Sequence, residues 1–128
     1  MIPENYLLMH SMVDLCKSNK IKVCLNGRSI LINPEDIGYC HAEGCYSRIF
    51  LISGKSYLLS KPLNDLEKQL SDDYFFRCHR SYLVNISEIF SVDSDKRMIH
   101  QKLYQIPVSY RKLIDLLYKC NAYIINKK

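Results

Sequence analysis

Between residues 20 and 108 the chain is cut by closely spaced turn signals into segments too short for anything but brief strands or a brief helix. Asn26-Gly27 stands between apolar segments 21–25 and 28–33, and this dipeptide suits the positive φ angles of a type I′ hairpin. Glu43-Gly44 separates 37–42 from 45–53 in the same manner, and Gly54-Lys55 turns the chain into 56–60. Segments 74–78 and 86–93 read as further strands with residues 79–85 between them. A charged turn at 93–97 leads into 97–100, which pairs with 103–108. Two helices interrupt this pattern. Pro62 opens a short one with Leu63, Leu66 and Leu70 on one face and Asp65 and Glu67 near its positive end. Ser109 caps the other, whose apolar stripe is Leu113, Leu116 and Leu117. Many short strands with few helices predict a mainly antiparallel β-domain.

Ahead of residue 20 the periodicity is different. Leu8, Met12, Leu15 and Cys16 fall at helical spacing with Met9 and Val13 beside them, which predicts an N-terminal helical extension over 1–19 outside a main domain of 20–128. The 128 residues suit one domain, and an apolar fraction of 48% against 24% charged excludes wholesale disorder. No apolar run approaches the roughly 20 residues of a membrane span, and the first residues do not read as a secretion signal. A reducing cytoplasm is the default compartment, so the 6 Cys are expected as free thiols. Lys and Arg exceed Asp and Glu by 18 to 13, which favours an anionic partner without specifying one.

Catalytic and metal chemistry find little support. Cys78-His79 are adjacent, but neighbours on a strand point to opposite faces. No glycine-rich phosphate loop, metalloprotease helix motif or nucleophile elbow occurs. Cys40, His41 and Cys45 lie close in sequence without the spacing of a zinc module, and Cys40 and Cys78 read better as small core residues beside an exposed His41. The informative stretch is Phe75-Phe76-Arg77-Cys78-His79-Arg80-Ser81-Tyr82-Leu83-Val84-Asn85. Its apolar ends can anchor in a core while an imidazole, a guanidinium and a hydroxyl sit between them. A guanidinium can fork onto guanine or onto a phosphate, and a serine hydroxyl can bond a phosphate oxygen. A salt-bridged turn is the alternative, and Arg77 is expected to pair with a carboxylate across the sheet.

The run FFRCHRSYLVNISEI strongly resembles the LytTR family of bacterial DNA-binding domains. Further matches follow in the family's order: Pro34-Glu35-Asp36-Ile37-Gly38-Tyr39, Gly44-Cys45-Tyr46, the leucines of 63–70 and Ile106-Pro107-Val108-Ser109. The likeness covers roughly 20–117. It implies a mainly β fold: an elongated stack of three small antiparallel sheets, about ten short strands, with short helices. It further implies that loops from separate parts of the chain enter successive major grooves. Position by position, Tyr46, Ser47 and Arg48 would enter one groove. Arg80 would contact bases or phosphates from its turn, supported by His79 and Ser81. Ser109, Arg111 and Lys112 would serve the second groove. Two departures stand out: Cys40 follows the strand aromatic where an acidic residue is usual, and Tyr110 follows Ser109 where arginine is common.

These implications amount to a sequence-specific, double-stranded DNA-binding transcription regulator that is not an enzyme. No cofactor, metal, membrane or small-molecule substrate is expected. Paired DNA repeats and a homodimer on DNA are. The rival from another class is a protein-interaction module that modulates a related regulator without touching DNA. Such domains usually follow a phosphoreceiver in two-component response regulators, for which this chain has no room. It is therefore either a fragment or a stand-alone member, and Met1 with the extra helix favours the latter.

Overall fold

The computed structural model describes residues 20–127. The helix expected over 1–19 lies outside the described residues.

Strands β1 (Ile21–Leu25) and β2 (Arg28–Ile32) form the expected hairpin, with Leu25 opposite Arg28 and both turn residues at positive φ (Asn26 51°, Gly27 78°). The next hairpin, β3 (Ile37–Glu43) with β4 (Tyr46–Leu51), turns one residue later than its sequence suggests. Glu43 pairs with Tyr46, so the two turn residues are Gly44 and Cys45. Gly44 (φ 63°) takes the first of these positions, the one that requires glycine in a type II′ turn. Next come β5 (Ser56–Leu59), α1 (Leu63–Gln69), β6 (Phe75–His79) and β7 (Tyr82–Asn85). The chain ends with β8 (Ile89–Asp93), β9 (Met98–Gln101), β10 (Gln105–Pro107) and α2 (Tyr110–Lys127).

The ten strands make three antiparallel sheets: β1-β2, β5-β4-β3-β7-β6 and β10-β9-β8. Segment 79–85, expected to be a connection, contains β7, which sits inside the central sheet between β3 and β6. Its Leu83 and Val84 are both fully buried, because each face of the central sheet is covered. A strand covered on both faces shows no alternation of apolar and polar residues, which hides it in the sequence. The strand expected over 86–93 starts only at Ile89, because Ile86–Glu88 form a 3₁₀ turn whose Ser87 N–H is held by the Asn85 side chain.

Two apolar clusters flank the central sheet. On one side Leu83, Cys40 and Ile49 meet Ile21, Val23 and Ile32 of the first hairpin and Leu63, Leu66 and Leu70 at α1. On the other, Val84 and Cys78 meet Ile99, Ile106, Val108 and Leu116. Alternation along a strand divides the neighbours, so that Cys40 and Leu83 face one cluster and Tyr39 and Val84 the other. The stripe of α2 is corrected. Leu116 is buried and Leu113 packs beside it, but Leu117 is exposed and Cys120 takes the inner position one turn on.

Candidate nucleic-acid interface

The functional candidates converge through the topology of the central sheet. Since β3 and β7 are antiparallel with His41 opposite Tyr82, the end of β3 lies beside the start of β7. The β3–β4 and β6–β7 turns therefore leave the same end of the sheet. Backbone hydrogen bonds join them to the start of α2: Ala42 N–H donates to Ser81 O (2.9 Å) and Ser109 N–H to Cys78 O (2.9 Å). Aromatic contacts fill the seam, with the His41 ring stacked on Tyr82 at 4.6 Å and His79 edge-on to Tyr82 at 5.4 Å. His41 is thus half-buried against an aromatic ring rather than simply exposed.

At the first turn, Tyr46 is 48% exposed. Ser47 is a correction: it points inward from β4, is fully buried, and donates its hydroxyl to Lys61 O at 2.8 Å, which leaves nothing for a nucleic acid. Arg48 is half-buried, and its Nε donates to Glu43 Oε2 at 2.7 Å. His41 Nδ1 stands 4.0 Å from the same carboxylate.

At the second turn, Arg80 is exposed, and among the described residues no carboxylate lies within ion-pair distance of it. The Nδ1 of His79 accepts the Ser81 N–H at 3.1 Å, so the neutral ring carries its proton on Nε2 and remains a donor. Ser81 is half-buried.

At the third, Ser109 O accepts the Lys112 N–H (3.0 Å) as α2 begins, and Arg111 and Lys112 are exposed. The Lys112 ammonium lies 5.8 Å from the centre of the Phe76 ring, so its stem lies back toward the sheet. Tyr110 points outward, 78% exposed, with the Arg97 guanidinium 5.9 Å over its ring.

Sequence reasoning missed several neighbours. Glu43 holds Arg48, a pairing that depends on where the hairpin turns. Lys96 and Arg97 line a cleft of about 340 Å³ with His79, Ser109 and Tyr110, although the sequence had marked their segment only as a charged turn. Arg77 does not pair across the sheet; its carboxylate partner is Glu67 on α1, at 2.8 Å. Burial pushes the Cys78 thiol up to about 12, and raises that of Cys40 as well, so neither is a thiolate at neutral pH. No group of three or more His, Cys, Asp or Glu is placed to hold a metal ion among the described residues.

Residues 27–120 match the family model of the LytTr DNA-binding domain. The chain belongs to the LytTR family. Among curated relatives, the sensory transduction protein LytT of Oceanobacillus iheyensis is 39% identical over 70 residues, 55% of this chain and 28% of that protein. A response regulatory protein of Vibrio cholerae is 34% identical over 85 residues, 62% of this chain and 33% of its own. The heme-containing CO-sensing transcriptional regulator RcoM 2 of Paraburkholderia xenovorans is 30% identical over 102 residues, 76% of this chain and 38% of its own. The LytTR chain thus spans well under half the length of these relatives. In three dimensions it is similar to a solved LytTr DNA-binding domain from Bacillus cereus, with a TM-score of 0.67 at 22% identity over 77% of this chain and 96% of that one. The stack of three antiparallel sheets is the LytTR fold. No helix among the described residues is long and apolar enough to cross a membrane.

Proposed function

We propose that this LytTR domain binds double-stranded DNA sequence-specifically through the three segments at one end of its central sheet and serves transcription regulation in the cytoplasm without catalysing a reaction. The observation that carries this reading is the pair of hydrogen bonds, Ala42 to Ser81 and Ser109 to Cys78, that gathers segments distant in sequence around exposed Arg80 and Arg111. A rigid sheet presenting exposed cations on short loops can reach bases and phosphates without a recognition helix. Arg80 and Arg111 read bases or phosphates, while His79 and Tyr46 supply donors beside them. Ser81, Ser109 and Lys112 hold the backbone. Arg48 joins the first groove once it leaves Glu43. Two copies on paired repeats follow from the family's usual sites.

The test is fluorescence anisotropy on duplexes selected from genomic DNA, at two salt concentrations. Tight, salt-sensitive binding to one repeat element is expected. Arg80→Ala and Arg111→Ala should each lose about 1–3 kcal/mol of specific binding where the contact is bidentate to a base, with an unchanged far-UV spectrum. If both variants bind like the parent protein, these residues are not the reading groups. Capture of a protein partner with no DNA affinity above background would replace the proposal with an interaction module.

A further inference from the structure

We propose that Arg77 is the positioning residue of the DNA-reading turn: it faces the protein, and its guanidinium sets the backbone from which Arg80 projects. This rests on the reading of Arg80 given above. The register of β6 explains how Arg77 comes to do so. Phe76 pairs with Val84, yet the next pair is His79 with Tyr82, so β6 carries one residue more than its partner over this interval. Such a bulge re-aims the side chains it contains.

From that position the guanidinium grips both sides of a junction. Nε donates to His79 O (3.1 Å) and Nη2 to Arg80 O, which fixes two successive carbonyls of the turn. Nη1 donates to Glu67 Oε1 (2.8 Å) and Asn64 Oδ1 (2.9 Å), which anchors the same plane to α1. Four acceptors take up nearly all of its five N–H groups, and the side chain is only 19% exposed, so little remains for a phosphate. Lysine has a single nitrogen and cannot span carbonyls and carboxylate in one plane. A turn whose carbonyls are already fixed loses less conformational freedom when it meets DNA.

The experiment is a double-mutant cycle on the full chain, with a specific and an unrelated duplex and with amide hydrogen exchange on the free protein. Arg77→Met should lower affinity for the specific duplex about tenfold, with a salt slope changed no more than Arg80→Ala changes it, and should speed exchange at Ser81. In an Arg80→Ala background the same change should cost clearly less than it does alone, because most of what Arg77 positions is Arg80, with only His79 and Ser81 left on the turn. Arg77→Lys should behave as Arg77→Met does. Glu67→Gln, which keeps Arg77 but loosens its anchor, should move affinity and exchange in the same direction by less, and it secures the test should Arg77→Met fold poorly. Additive losses in the cycle, rescue by lysine, or a salt slope that falls by a further ~0.9 when Arg77→Met is added to Arg80→Ala, the signature of a phosphate contact made by Arg77 itself, would each overturn the proposal. If Arg80→Ala alone leaves binding intact, the reading of the turn fails. Exchange then decides the brace by itself: faster exchange in Arg77→Met supports it, and unchanged exchange overturns it.

Discussion

Glu43 and Arg48 show how one carboxylate can hold back a cation at the proposed DNA-facing end of the sheet. The pair is roughly one-third exposed on both sides, so solvent screens it and its worth is small, about 0.2–1 kcal/mol. Its geometric effect is larger, because an arginine held by a carboxylate must exchange partners before it can meet a phosphate. Glu43→Gln removes both the competitor and a charge that repels the DNA backbone. Affinity for unrelated duplex at low salt should therefore rise about two- to fivefold, as read by anisotropy. Unchanged or weaker binding would place Arg48 outside the interface. The inward direction of Ser47 was legible in principle, since alternation along β4 sets it opposite Tyr46 and Arg48. The Glu43–Arg48 contact was not, because it depends on a turn one residue away from the position the dipeptide suggested.

At the level of elements, β7 and the 3₁₀ turn after it hinge on Asn85. This fully buried residue donates Nδ2 to Ile37 O (2.8 Å) and accepts the Ser87 N–H (2.9 Å) and hydroxyl (2.6 Å) on Oδ1. Asn85→Ala leaves the buried Ile37 carbonyl without its side-chain donor and frees the exposed Ser87 from the 3₁₀ turn, and should cost about 1–3 kcal/mol, visible as a lower urea midpoint with an unchanged denaturant slope. A midpoint equal to that of the parent protein would mean that neighbouring groups take over the bonds. Elements with their own local signal were readable: the Asn26-Gly27 hairpin, the leucines of α1 and the charged turn before β9. Those that depend on tertiary surroundings were not. Strand β7 reads as a connection because both of its faces are covered, and Leu117 reads as core because periodicity cannot tell which edge of a helical stripe the sheet will meet. Among the candidate site residues, the motif led directly to His79 and Arg80. The role of Arg77 stayed hidden, since its partners Asn64 and Glu67 lie on another element.

For the whole molecule, the central sheet belongs to both apolar clusters at once. Leu83→Ala opens a cavity in one of them and should cost about 2–5 kcal/mol, yet the adjacent Val84 couples that loss to the other. A single cooperative unfolding transition at a lower midpoint is expected in urea, followed both by far-UV circular dichroism and by tyrosine fluorescence. Two separated transitions would show that the layers unfold independently. The bonds from Ala42 to Ser81 and from Ser109 to Cys78 carry a consequence for divergence. The β6–β7 turn shares one bond with each of the other two segments, so lengthening it between Cys78 and Ser81 would disturb both, whereas exchanging an exposed side chain such as that of Arg80 leaves both bonds in place. On the proposed reading, new target sequences are therefore within reach by substitution at a fixed length of this turn, and insertions between its two bonded ends are the changes it tolerates least.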